Sequence, residues 1–433
     1  MKLFGTSKVV NNELNIGGVG VQELRGKFST PLYVMDQTLL EENMAIFRDN
    51  FKSDKFKTEV IYASKAFLAV AMAQLVNRNG LSMDVVSGGE LFTAIKAGFP
   101  MEKLYFHGNN KTYDELELAI DNNLGTIIVD NPLELHRLNR ICADKNKKAK
   151  VLLRVNPGID AHTHEYIQTS KFSSKFGESI FDEEIFNIIK EFLNSENVIL
   201  EGFHCHVGSQ IFDEKPFFGA IDVMFKFAKE VEEKTGFASK VINLGGGFGI
   251  YYSEEDNPIA LQDFVTRMIS DLEIKKEEYG LSVEQVNIEP GRSIVANSGT
   301  TIYTVGGVKD TFSGKKYIFV DGGMTDNIRP ALYQAKYEGV IANKMLETPT
   351  LCATVAGKCC ESGDGLIHDS YFAEAVDGDI LAIASTGAYN YSMSSNYNRI
   401  IKPAVVFVKD GKAQLVVKRE TYEDLVRNDL ELV

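Results

Sequence analysis

The chain has 433 residues, 44% hydrophobic and 24% charged, which is the profile of a soluble globular protein with room for one large domain and a smaller one, or for two to three domains. A formal net charge of −14 argues against nucleic acid or an anionic membrane surface as a partner. No apolar run is long enough to span a bilayer, and the opening MKLFGTSKVVNNELNIGG lacks the apolar centre of a signal peptide, so a cytoplasmic setting is expected.

Residues 1–30 are polar and glycine-containing, with weak strand character. PLYVMD at 31–36 reads as a strand, and Asp36 is placed to cap a helix in which Leu39, Leu40, Met44 and Phe47 keep the helical period. From Glu59 onward short apolar runs alternate with amphipathic stretches. The runs are EVIYASKA (59–66), LSMDVVS (81–87), KLYFHG (103–108), GTIIVD (125–130), KVLLRVNP (150–157), LEGFHCHVG (200–208), VINLGGG (241–247) and VNIEPG (286–291). Helix signals fill the gaps: Thr112 with Glu115 forms a capping box, Asn131-Pro132 starts a helix, and Asp182 precedes Ile185, Ile188, Ile189 and Phe192 at helical spacing. Eight such units predict an α/β fold of the (β/α)8 barrel type over residues 31–292; an open doubly wound sheet competes, but no GxGxxG follows the first strand. After Ser293 strands follow one another without long helices, and Asp410-Gly411 sits between two alternating runs as a hairpin turn. Residues 293–433 therefore read as a C-terminal all-β domain, to which residues 1–30 are expected to add a strand.

Barrels of this kind carry their chemistry at the C-terminal ends of the strands. Those ends are Lys65, Asp84, His107, Asp130, Arg154, His206, the glycines Gly245, Gly246 and Gly247, and Glu289 with Arg292. A lysine at a strand exit either points into solvent or, held where it loses its proton readily, forms a Schiff base with an aldehyde. Three successive glycines can bring backbone N–H groups close to a phosphate, where a tight turn would need only one. A buried Glu289 needs a cation; Arg292 is the local candidate and a protonated pyridine nitrogen the functional one. Lysine, phosphate cradle and acid together are what pyridoxal 5'-phosphate requires. His204 and His206, two apart on a strand, share a face and could hold a metal, but nothing nearby completes a ligand set. His206 is read as a ring stacked on a planar cofactor and His204 as a packed strand histidine. The five cysteines, Cys142, Cys205, Cys352, Cys359 and Cys360, include no CxxC pair and fit a reducing compartment; Cys360 lies in GKCCESGD (357–364) as a potential proton donor beside Glu361, which could bind an ammonium.

With Lys65, HVGSQ, GGGFG, EPGR and CESGD in place, the chain resembles the diaminopimelate decarboxylases, part of the barrel-plus-β family of pyridoxal phosphate enzymes that includes alanine racemase and ornithine decarboxylase. The resemblance runs through YASKAF, DVVSGGEL, HGNNK, GRSIVA and GAYNYSM, and CESGD with RPALY marks these decarboxylases off from their relatives. It implies decarboxylation of meso-2,6-diaminopimelate to L-lysine, the last step of lysine biosynthesis by that route. It further implies that Lys65 bonds the cofactor, that His206 stacks on it, and that Ser209 with Gly245, Gly246 and Gly247 holds its phosphate. Glu289 would pair with the ring nitrogen, and Arg292 would lie near the phosphate and a substrate carboxylate. Arg329 and Tyr333 would bind the distal carboxylate, and Tyr389 would touch cofactor and substrate. Cys360 would return the proton and Glu361 would recognise the far ammonium, both reaching in from the neighbouring subunit of a homodimer. The competing readings are a decarboxylase of another basic amino acid, a catalytically silent binding homologue, and a metal-dependent barrel hydrolase. The polar stretch at 162–177 is the candidate for a loop that closes over the substrate.

Overall fold

The computed structural model describes residues 1–159 and 174–433, so most of the 162–177 stretch lies outside the described residues. The eight apolar runs form eight strands, β1 (Lys57–Ala63), β2 (Ser82–Val85), β3 (Leu104–Phe106), β4 (Thr126–Val129), β5 (Ala149–Asn156), β6 (Val198–His204), β7 (Val241–Asn243) and β8 (Gln285–Ile288). Each pairs in parallel with the next. The ring closes where β8 pairs with β1, Ile288 opposite Val60, so the sheet is a closed barrel and not an open one. Ile61, Tyr105, Ile128 and Leu152, one from each of four strands, pack together as a buried cluster, the side-chain filling that makes such a barrel a solid core.

The helices begin where their capping residues stand. Thr112 and Glu115 complete a reciprocal capping box for the helix Tyr113–Asp121, and the Asn131 side chain accepts from the Glu134 N–H ahead of Pro132–Asp144. Ile185, Ile188, Ile189 and Phe192 are the buried face of Glu184–Leu193. Asp36 Oδ1 accepts from the N–H groups of Thr38 and Leu39 at 3.1 and 3.3 Å, as a cap should.

The chain divides into two compact units, residues 44–250 with 258–293, and residues 1–43 with 251–257 and 294–433. Two stretches expected in the barrel thus belong to the β unit. Residues 31–43 do so because Leu32–Asp36 pairs antiparallel with Gly299–Asp310 and parallel with Ala404–Lys409. A strand buried along its whole length and flanked on both sides is stable only inside a sheet, and this sheet supplies both neighbours. Residues 251–257 are the second stretch. The N-terminal contribution also differs from expectation. Within residues 1–30 three short strands, Lys8–Val10, Glu13–Ile16 and Val19–Gly20, make a small sheet of their own. Leu14, Ile16 and Val19 from it join Val34, Ile302, Ala382 and Val406 in the core of the β unit. Asp410 and Gly411, with φ of 50° and 73°, turn Ala404–Lys409 back into Lys412–Val417. Among the described residues no helix is long and apolar enough to cross a membrane.

Candidate active site

Three strands deliver side chains to one carboxylate carried by a fourth. Beyond β8 stands Glu289, 7% exposed. Its Oε1 accepts from His107 Nε2, just past β3, at 2.9 Å and from Asn243 Nδ2, the last residue of β7, at 2.8 Å. Its Oε2 accepts from His204 Nε2, the last residue of β6, at 3.2 Å. Burial alone would push the Glu289 carboxyl up, but the two imidazoles hold it well below the usual carboxylate range. Burial pushes His204 down to about 4 and lowers His107 as well, so both rings reach Glu289 as neutral N–H donors. Arg292, the sequence-local cation, takes a different partner, donating from Nη2 to Ser209 Oγ at 3.0 Å. His107, His204 and Glu289 also stand close enough together, their ligand atoms within 4.8 Å, that they could hold a metal ion, a set the spacing of His204 and His206 did not foretell. In this structure both ring nitrogens are turned to the Glu289 oxygens, alongside the Asn243 amide, as a hydrogen-bond network.

β1 ends at Ala63 and the chain makes one tight turn, Ser64–Ala66, which buries Ser64 and Ala66 and leaves Lys65 exposed. Two acids clamp that turn. The Ser64 N–H donates to Asp84 Oδ1 at 2.8 Å, and Ser64 Oγ to Glu90 Oε2 at 3.2 Å. Burial, then the charge of Glu289, push Asp84 well above the ordinary range, with Lys65 pulling the other way. Asp130 and Arg154, the remaining polar strand ends, face each other at 4.0 Å.

His204 ends its strand, so His206 stands beyond it and the two do not share a strand face as the spacing suggested. The Gly246 N–H donates to His206 Nδ1 at 3.3 Å, which leaves the ring proton on Nε2. Burial, reinforced by Lys65 and Arg154, pushes His206 down to about 3, a neutral ring. The three glycines have no room for side chains. A Cβ on Gly245 would stand 2.5 Å from the Cys205 carbonyl, on Gly246 2.1 Å from that of Glu289, and on Gly247 2.6 Å from that of Gly208. Gly245 and Gly247 also sit at φ of 68° and 119°, where a side chain is strained. Bare backbone from β7 therefore lies directly against the segments that carry His206, Ser209 and Glu289. Lys65, His206, Ser209, the glycines, Glu289 and Arg292 all gather at this end of the barrel. A Schiff-base lysine, an anion cradle and an ionised acid are the three groups pyridoxal phosphate needs, so the residues fit that cofactor.

In the β unit, Arg329 opens the short helix Arg329–Tyr333. Its Nε donates to Tyr337 Oη at 2.9 Å. Its guanidinium lies 5.5 Å from the Tyr333 ring centre and 5.7 Å from those of Tyr252 and Tyr389. Cys360 and Glu361 are exposed on a separate loop. Asp364 ties that loop down, accepting from Cys359 N at 2.8 Å and Met324 N at 2.6 Å, while the Cys360 N–H donates to Asn398 Oδ1 at 2.8 Å. Among the described residues no hydrogen bond, ion pair or ring contact is seen between Cys360 or Glu361 and Arg329.

Asn243, Glu90, Tyr252 and Tyr337 escaped the sequence reading. Asn243 carried a signal, a polar residue ending an apolar strand just before the glycines. Tyr337 and Tyr252 carried none, since only the fold brings them to Arg329.

Residues 38–296 match the model of the pyridoxal-dependent decarboxylases, pyridoxal binding domain. A diaminopimelate decarboxylase of Bacillus subtilis is 50% identical over 431 residues, covering 99% of this chain and 98% of that protein. One from Staphylococcus aureus is 42% identical, covering 97% and 98%. The crystal structure of diaminopimelate decarboxylase from M. jannaschii in complex with L-lysine superposes with a TM-score of 0.93 at 33% identity, covering 99% of this chain and 98% of that one. The resemblance expected from CESGD and RPALY is thereby met over almost the full length, and the chain belongs to the diaminopimelate decarboxylase family of pyridoxal-dependent decarboxylases.

Proposed function

We propose that this protein decarboxylates meso-2,6-diaminopimelate to L-lysine and carbon dioxide with pyridoxal 5'-phosphate bound at the barrel mouth. The observation that carries the reading is the ionised Glu289 at the same strand ends as Lys65 and the glycine cradle. Lys65 would bond the cofactor; Ser209, Arg292 and the N–H groups of Gly245 to Gly247 would hold its phosphate. Glu289 would keep the ring nitrogen protonated, and the neutral ring of His206 would lie on the cofactor's face. When bound, the cofactor supplies an electron sink for the pair of electrons left as carbon dioxide departs.

Arg329 supports the choice of substrate. A guanidinium already turned by Tyr337 and walled by three tyrosine rings matches a carboxylate with two oxygens. Ornithine and arginine have no second carboxylate to offer it. Tyr333 and Tyr389 would line the same place. Cys360 would return a proton to the carbon that lost carbon dioxide, and Glu361 would accept the far ammonium. Their exposure on a loop fixed by Asp364 suits delivery to a second copy of the chain, so the active form is a homodimer with shared sites. Five free cysteines suit a cytoplasmic enzyme.

The test is carbon dioxide release by the purified protein with pyridoxal phosphate on meso-diaminopimelate, L-ornithine, L-arginine and L-lysine, beside Lys65→Ala. Release from diaminopimelate alone, abolished in the variant, is expected. Release from ornithine or arginine instead would overturn the role given to Arg329. Bound cofactor with no release from any substrate would point to a silent homologue.

A further inference from the structure

Glu289 is served by more side chains than a buried acid needs to be soluble in the fold. Three donors converge on it from three different strand ends, His107 at 2.9 Å, Asn243 at 2.8 Å and His204 at 3.2 Å. Asn243 is itself fixed, since its Oδ1 accepts from the Gly245 N–H at 2.9 Å. His107 and His204 brace each other edge to face, ring centres 4.8 Å apart at 73°. His204 is 1% exposed, yet its Nδ1 has no hydrogen-bond partner among the described residues. An unsatisfied buried nitrogen is costly, so the ring is held there for what Nε2 does.

A carboxylate accepts about four hydrogen bonds when ionised, and three are already made. Two fall on Oε1, which is saturated, and one on Oε2, which has a lone pair left. The network therefore leaves one acceptor site on one chosen oxygen. Neutral donors stabilise the anion without cancelling its charge, which a lysine or arginine in their place would do. Arg292, near in sequence, is drawn off to Ser209.

We propose that His107, His204 and Asn243 are positioning residues that keep Glu289 ionised and aim one free lone pair of Oε2, so that the acid selects a cofactor with a protonated ring nitrogen. This rests on the pyridoxal phosphate reading above and adds three residues to it. Remove the donors and the carboxyl takes up a proton in its buried site; it then has no charge to offer a pyridinium.

The experiment compares two cofactors in one protein. Affinity for pyridoxal phosphate and for its 1-deaza analogue, which keeps aldehyde and phosphate but has carbon in place of the ring nitrogen, is measured by titration of the cofactor-free protein. The natural chain should prefer pyridoxal phosphate. In His107→Phe and His204→Phe, which keep a ring but lose the N–H, that preference should shrink by about tenfold or more, the worth of a charge-assisted hydrogen bond. His107→Gln and His204→Gln, which restore an amide N–H near the Nε2 position, should recover most of it. Because the preference is a ratio within one variant, general damage to the site cancels. If both cofactors weaken equally, or neither changes, the histidines only pack and the proposal is overturned. If the natural chain binds neither cofactor, the pyridoxal phosphate reading itself fails, which is a different outcome from an unchanged ratio.

Discussion

Tyr337→Phe is the change that separates orientation from charge at Arg329. The Tyr337 side chain is 5% exposed, and its ring meets Tyr252 edge-on at 5.3 Å and 80°. Phenylalanine keeps that contact and removes only the hydroxyl, which accepts from Arg329 Nε at 2.9 Å and lies 3.3 Å from Asn390 Oδ1. A hydrogen bond to a charged group contributes about 1.5–3 kcal/mol. On the proposed role the terminal nitrogens of Arg329 would still meet a carboxylate, so the lower end applies, and about 1.5 kcal/mol is roughly a tenfold rise in KM for diaminopimelate. Turnover should change by no more than about threefold, because the contact is the same in ground and transition states. The product keeps the carboxylate that Arg329 would hold, so inhibition by L-lysine should weaken in parallel. Cadaverine, with no carboxylate, should inhibit as before. Initial rates of carbon dioxide release give all three quantities. An unchanged KM, or a loss shared by cadaverine, would show that Arg329 does not grip a carboxylate.

Three further changes test the scaffold. Gly246→Ala sets a Cβ 2.1 Å from the Glu289 carbonyl oxygen, and overpacking of that kind costs about 1–3 kcal/mol; thermal melts should show a lower Tm and cofactor titration a weaker affinity. Lys111→Met strips the partner from Glu134, whose Oε1 is 2.6 Å from Lys111 Nζ in a pair only 1% and 2% exposed. It should cost about 3–5 kcal/mol in urea unfolding, and adding Glu134→Leu should restore most of that, because no lone charge then stays buried. The third concerns acid. His204 titrates at about 4 in the fold against an ordinary value near 6.5 when unfolded, so below ~6.5 the unfolded chain binds more protons and stability falls until about pH 4. Glu289, held low, adds a loss in the same direction only below its unfolded value of ~4.3. Denaturant midpoints from pH 7 to 4 should therefore decline, and His204→Gln should flatten the slope; a midpoint independent of pH would contradict the buried neutral imidazole.

The barrel was legible because its signals are local. Each apolar run had the length of a strand, Thr112 and Asn131 marked helix starts, and eight even units close a ring. Leu32–Asp36 was legible as a strand but not as to its sheet. A pentapeptide that is apolar up to its final Asp36 suits either a barrel or a β domain, and only its neighbours, Gly299–Asp310 and Ala404–Lys409, more than 260 residues away in sequence, decide. The site divides in the same way. Lys65, Glu289 and the glycines announced themselves as polar or bare residues at strand ends. Arg292, the local alternative the sequence offered beside a pyridine nitrogen, donates to Ser209, because adjacency in sequence says little about which face a side chain takes after a turn. The actual partners come from β3, β6 and β7, positions that only barrel closure makes neighbours.

Two of the buried acids at the barrel mouth, Glu289 and Asp84, differ, and the difference follows from a count of donors. Glu289 and Asp84 each suffer the cost of burial, and the charge of Glu289 raises Asp84 further. Glu289 answers with three side-chain N–H groups, whereas Asp84 has one backbone N–H, from Ser64. The charge therefore settles on Glu289, and Asp84 is pushed toward its neutral form unless Lys65, the cation beside it, draws it back. Two neighbouring carboxyls with opposite shifts are a means of dividing labour: one stays an anion to hold a cation, the other can follow the charge of the lysine next to it. Asp84 is tied to the charge of Lys65, while Glu289 is held by its three side-chain donors. The arrangement thus keeps a fixed negative charge at one side of the mouth and lets the other side change with the state of Lys65.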